Sequence, residues 1–191
     1  STEFASIVVG GTATGDVTYN KYVNYQAYQE WDLVGSPVLN QNMKTFAQTN
    51  TTVNGTINQP NGAMAMGGDY YALGQYLTQW GSYSNYTIET IPDANFPAGK
   101  GYQMGTNPVG SESPFSGQTL AFTGEIATTS QSIDVQNQNG TNNGYGRRWN
   151  LVANPYPSYI DARAFLQGNS SLDNNTVNIT IDGNYAALYV W

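Results

Sequence analysis

Acid–base chemistry in this chain falls to carboxylates. The 191 residues contain no His and no Cys. That removes the imidazole and thiolate groups most enzymes use. It also restricts any metal site to oxygen ligands. Glu30 and Asp32 come nearest to a catalytic pair, because they flank Trp31 and so share one face of a strand. A glycosidase needs its two carboxyls about 5 Å apart to retain configuration, or about 6.5–9.5 Å to invert it. Nothing in the spacing pairs these two, or Glu3, Glu89, Glu112 and Glu125, in that way. The expectation is a protein that is not an enzyme, with no catalytic residue.

Binding is the better use of this inventory. Sugar sites combine aromatic platforms with amide and carboxylate hydrogen bonds. Tyr70, Tyr71, Trp80, Tyr83 and Tyr86 can form such a platform; the competing use of these rings is to fill core edges along alternating strands. Asp173, Asn175, Asp182 and Asn184 offer oxygen ligands for Ca2+ in two loops. They lack the twelve-residue EF-hand pattern, and Asx turns are the commoner role for such residues. No other cofactor is expected.

The surface implied by the composition is polar but uncharged. Charged residues make up 10% of the chain, against the usual quarter, while aromatics reach 13% with 15 Tyr. Disordered chains show the reverse, high charge with few aromatics, so this is a folded protein. The net charge is -7. The six cations (Lys21, Lys44, Lys100, Arg147, Arg148 and Arg163) form no stripe, which argues against nucleic acid and anionic membranes as partners. No apolar run approaches the roughly 20 residues of a membrane span.

One motif occurs twice. Trp31-Asp32-Leu33-Val34-Gly35-Ser36-Pro37 is echoed by Trp149-Asn150-Leu151-Val152-Ala153-Asn154-Pro155. A Phe follows each copy (Phe46, Phe165), and then an aromatic segment ending in Trp (Trp80, Trp191). Such self-similarity means one structural unit built twice. Period two places Trp31 with Leu33, and Trp149 with Leu151, on one face each, expected to be the core. Asn154-Pro155-Tyr156-Pro157 reads as a rigid turn, with Asn154 closing an Asx turn.

Elsewhere the pattern is short strands and turns. Strands are expected at Ala5–Val9, Asp16–Val23, Trp31–Val34, Ala72–Trp80, Tyr86–Ile91, Tyr102–Met104, Leu120–Ile126, Ser132–Val135, Trp149–Val152, Val177–Ile181 and Ala187–Trp191. Residues 43–48 read as a helical turn at best, and 49–69 as a long loop. Residues 162–166 read as a helix capped by Asp161. The fold class is therefore all-β, an antiparallel sandwich or jelly-roll-like fold of two related halves. The division is residues 1–24 as N-terminal strands, 25–110 as a first half-module and 111–191 as a second, shortened one, within one compact unit.

The run from Trp149 to Leu166, with Leu188-Tyr189-Val190-Trp191 after it, resembles a recurrent module of secreted and surface proteins of Bacteroidota. Gly99-Lys100-Gly101-Tyr102 and Phe122-Thr123-Gly124 match the turn and strand that precede it there. The resemblance spans roughly residues 17–191. It is degraded in the first half, where Ser36-Pro37-Val38 replaces the Asn-Pro-Tyr-Pro turn. It implies export by type IX secretion and an extracellular, cell-surface location. The role expected is structural or adhesive: a stalk, spacer or filament subunit beside other domains of a larger surface protein or neighbouring copies of itself. The alternatives are a carbohydrate-binding module with glycan partners, and a polymer subunit that exchanges the strand Ala5–Val9 between copies.

Overall fold

The computed structural model describes residues 6–26, 31–110, 115–136 and 149–169. Seven strands and two helices occur in the order β1 (Asp16–Val23), β2 (Asp32–Gly35), α1 (Met43–Asn50), β3 (Met66–Gly67), β4 (Tyr70–Leu77), β5 (Ser82–Thr87), β6 (Gly101–Met104), β7 (Gln118–Glu125) and α2 (Ala162–Asn169). β1 and β7 form a two-stranded sheet. The other five strands form a second sheet in the order β2-β6-β4-β3, with β5 on β4. Every pairing between these strands is antiparallel. The protein is an all-β sandwich.

Alternation in β7 buries Leu120, Phe122 and Gly124 and exposes Thr119, Thr123 and Glu125. β6 is buried along its whole length, as a central strand covered on both faces must be. Helix α1 fills the space between the sheets. Its Phe46 stacks on Phe122 of β7 at 4.4 Å between centroids and meets Phe96 edge-on at 5.3 Å. Phe96 in turn meets Tyr102 of β6 edge-on at 5.1 Å. Phe46 and Phe122 are fully buried, and burying such a ring is worth about 1.5–3 kcal/mol.

Residues 43–50 thus form a full helix rather than a turn. Met43, Phe46, Ala47 and Asn50 are its buried face, at helical spacing. Asn42 caps it, accepting from the Thr45 N–H at 2.9 Å. Its polar, short sequence hides this, because the stability comes from packing and not from propensity. Residues 49–69 are likewise not one loop. Asn54 and Gly55 both have positive φ and close a two-residue turn between Val53 and Thr56, and β3 follows.

The inner edge of β7 meets side chains where a strand would otherwise lie. The N–H of Ala121 donates to Asn50 Oδ1 at 2.9 Å, and that of Thr123 to Gln41 Oε1 at 2.6 Å. Asn50 Nδ2 returns a bond to the Ala121 carbonyl. Only Glu125 finds a backbone partner there, Leu39. Carboxamides present the donor and acceptor of a peptide group, so they can seal an edge that no strand reaches.

The two motif copies use equivalent residues in equivalent ways. At the second position, Asp32 accepts from the N–H and the amide of Asn24, both at 2.9 Å, while Asn150 holds the N–H and carbonyl of Gln136 at 2.8 and 2.9 Å. At the sixth, Ser36 accepts from the Val38 N–H and Asn154 from the Tyr156 N–H, the Asx turn expected from the sequence. Each copy then leads to a capped eight-residue helix. Asp161 caps α2 through the Ala164 N–H, and Phe46 and Phe165 each follow their cap by four residues.

At the fifth position the copies touch. Residues 151–153 pair antiparallel across Lys100, with Gly101 N–H on the Leu151 carbonyl and Ala153 N–H on the Gly99 carbonyl. A Cβ at Gly35 would lie 2.2 Å from the Ala153 Cβ, and one at Gly101 would lie 2.6 Å from Leu151 Cγ. Both glycines are there because the second copy occupies the space their side chains would fill.

The inward placement expected for Trp149 and Leu33 is corrected. Val34, not Leu33, enters the core, because it pairs with Tyr102 while Leu33 pairs with Gln103 on the opposite face. Trp149 is 55% exposed. Trp31 does pack against the core, from a position just outside β2 where strand parity no longer applies. Four further strand expectations fail. Residues 149–152 make an isolated bridge, Val152 to Lys100, in place of a strand, and the strand expected at Tyr86–Ile91 lies instead at Ser82–Thr87, with Ile88 to Thr90 in a turn. Residues 132–135 join no ladder and lead to Gln136, whose backbone Asn150 holds. Ile7 to Val9 lie outside both sheets, with the Ile7 N–H on the Pro157 carbonyl at 2.7 Å. The strands expected at residues 177–181 and 187–191 fall outside the described residues.

Replacing Gly35 by Ala should cost about 1–3 kcal/mol, the range for overpacking a filled core. The swap Gly35→Ala with Ala153→Gly should recover most of that loss in urea unfolding. Separately, Asn50→Ala removes the partner of the half-buried Ala121 N–H and should cost about 1–3 kcal/mol by the same measurement.

Candidate functional site

The β4–β5 hairpin builds one wall of a groove. Tyr76 pairs with Tyr83 across it, the rings 5.1 Å apart and edge to face. Residues 78–81 make the tip, where Trp80 stands 69% exposed. Below the hairpin lies a groove of about 450 Å³. Residues 75–79 form its near wall, Lys100 lies at its base, and residues 132–136 and 150–152 form its far wall.

Each wall is held by hydrogen bonds. Asn150 clamps the Gln136 backbone, which fixes the far wall. Thr78 Oγ1 donates to the Trp149 carbonyl at 2.9 Å and ties the far wall to the hairpin. That bond joins the Trp149 backbone to the hairpin two residues before Trp80, and both indoles are exposed.

Lys100 is the cation of the site. Its Nζ donates to Gln75 Oε1 at 3.1 Å and sits 5.5 Å from the Tyr102 ring centroid. Burial lowers its pKa. Asp134 lines the same groove from the far wall.

The expected aromatic platform divides into two groups. Tyr71 and Tyr86 are buried, at 1% and 8%, and belong to the core. Tyr71 alternates inward with Leu73 on β4 and donates to Asn58 Oδ1. Tyr70, Trp80 and Tyr83 remain exposed, and of these Trp80 and Tyr83 stand at the hairpin beside the groove. The five residues are therefore not one surface.

Among the described residues Asp134 is the one carboxylate that lines the groove. Glu30 lies outside the described residues, as do Glu3 and Glu112. Asp32 is engaged in its clamp on Asn24. Asp16 and Glu125 face each other across β1 and β7, a juxtaposition no sequence spacing reveals, and both are exposed on that sheet. Among the described residues no group of three or more His, Cys, Asp or Glu can hold a metal ion. Asp173, Asn175, Asp182 and Asn184 lie outside the described residues. No described helix is long and apolar enough to cross a membrane. The groove itself was missed in the sequence, where its one signal was a lysine set between two glycines at Gly99-Lys100-Gly101.

A family model described as a domain of unknown function (DUF8693) matches residues 5–191. The chain belongs to that family. Comparison with curated proteins and with solved structures gives no match.

The buried phenols beneath the site give it an alkaline limit. Burial pushes the Tyr86 hydroxyl up to about 12, and raises Tyr71. Tyr102 is raised by burial first and by neighbouring Tyr86 second. In the unfolded chain these phenols ionise near pH 10. The folded state keeps their protons longer, so the stability they contribute is complete below about pH 10 and is lost as pH rises through their folded values. Urea midpoints should fall steeply between about pH 10 and 12, and Tyr86→Phe should flatten that fall.

Proposed function

We propose that this chain is a non-catalytic extracellular module of structural or adhesive type, with the adhesive role as its working function. The observation that carries the reading is that the β4–β5 hairpin, and the segment hydrogen-bonded to it at Trp149, leave large aromatics exposed. Trp80, Trp149 and Tyr83 are 69%, 55% and 41% exposed, although the core nearby is well filled with rings. A spacer has no use for exposed indoles, whereas a binding face does. The uncharged polar composition and the resemblance to Bacteroidota surface modules support an extracellular setting. The engagement of Asp32 in a backbone clamp, and the exposed position of the Asp16–Glu125 pair away from the groove, speak for binding over catalysis.

Carbohydrate binding is the more specific form of the same reading, favoured by the polar groove beside the hairpin that carries Tyr76, Trp80 and Tyr83. The test uses fluorescently labelled protein on intact bacterial cells and on immobilised extracellular polysaccharide. Retention should be measurable and should drop at least about fivefold in Trp80→Ala, the loss of roughly 1 kcal/mol or more typical of an aromatic anchor. Turnover of chromogenic glycoside or peptide substrates that disappears in Asp32→Asn would refute the non-catalytic reading.

A further inference from the structure

We infer that the groove based on Lys100 is a site for an uncharged saccharide chain. This rests on the adhesive reading for the class of ligand and adds its location, charge and contacts.

The volume of about 450 Å³ lies within the range of small-ligand sites. The polar groups around it are of both kinds that a sugar hydroxyl needs. Lys100 carries three N–H donors, and its hydrogen-bond partner among the described residues is Gln75 alone. Asp134 is an acceptor on the far wall with no hydrogen-bond partner among the described residues. The exposed side chains of Gln79 and Gln136 add carboxamides at either side. A hydroxyl both donates and accepts, so vicinal hydroxyls can answer a cation and an anion at once.

Charge selects against the acidic alternative. Lys100 and Asp134 cancel within the groove, and the chain as a whole carries -7. A polyanion would meet repulsion from the net charge and, among the described lining residues, a single cation. An apolar peptide is no better, since it would cover Lys100 and Asp134 without satisfying either.

The geometry is preorganised. Lys100 is held by Gln75 and lies against the Tyr102 ring, so little freedom is lost on binding. Trp80, next to the groove-lining Gln79, and Trp149, next to the groove-lining Asn150, add exposed rings at its border. Ring faces of this kind stack on the C–H face of a sugar while its hydroxyls reach the polar groups.

The experiment is isothermal titration of the intact chain with cellohexaose, xylohexaose and mannohexaose, and with hexagalacturonate as the acidic counterpart. At least one neutral hexasaccharide should bind. Lys100→Met and Asp134→Asn should each weaken that binding at least about tenfold, with unchanged circular dichroism, while Tyr159→Ala, at an exposed residue elsewhere, should leave it intact. Asp134 is exposed on the far wall, so its variant reports even if Lys100→Met disturbs the fold. The inference fails if no neutral hexasaccharide binds, if hexagalacturonate is preferred, or if binding ignores both groove variants. In those cases cell retention that still depends on Trp80 would leave the adhesive reading standing. Cleavage of a bound hexasaccharide, seen by chromatography, would instead overturn the non-catalytic reading and keep the site.

Discussion

A sandwich of short strands has more sheet edge than it has strands to cover it, and every buried backbone group on those edges must still be paired. This protein meets that constraint with side-chain amides and hydroxyls. Asn50 and Gln41 line the inner edge of β7 as a neighbouring strand would. Asn150 does the same for Gln136, and Asn107 gathers the carbonyls of Pro60, Gly62 and Met64. Thr106 accepts from the Gln118 N–H and donates to the Val23 carbonyl. No buried side-chain nitrogen or oxygen among the described residues is left without a partner. The unusual composition follows directly. A neutral amide can sit half-buried beside a backbone, where an ionised group would pay heavily in lost hydration.

The same constraint explains what the repeated motif is for. Its second residue clamps an incoming segment, its sixth closes a turn on the residue two places on, and its Pro stops the strand. The choice between Asp32 and Asn150 is set by the partner. Asn24 offers two donors, which a carboxylate accepts, whereas Gln136 offers one donor and one acceptor, which only an amide can match. The fifth residue is where the copies meet, and there one side must be glycine. The Leu151–Ala153 segment reaches the start of β6 only because Gly35 and Gly101 leave room for it.

That docking also creates the groove. Residues 150–152 come to lie opposite the end of β4, and residues 132–136 follow because Asn150 holds them. Lys100 sits where the Tyr102 side of β6 emerges from the core, close enough to the ring to be braced and exposed enough to meet a ligand. The groove is thus a consequence of how the second motif copy packs on the first. Its aromatics are exposed because the core is already filled by Phe46, Phe96, Phe122 and Tyr102.

The sequence by itself determined the class of the fold, most strand positions, the Asp161 cap, the Asn154 turn and the repeated motif. All of these are local: alternation, turn chemistry and capping act over a few residues. The lack of His and Cys likewise bounded the chemistry before any folding. Tertiary structure alone decided which of five aromatics face solvent, that Val34 rather than Leu33 enters the core, and that residues 43–50 form a helix. It alone placed Asp16 opposite Glu125 and set Lys100 across a groove from Asp134. Those outcomes depend on partners far apart in the chain, and on which face of a strand the opposite sheet covers. A period of two says that neighbouring side chains diverge, but only the packing of the second sheet says which of them is inside.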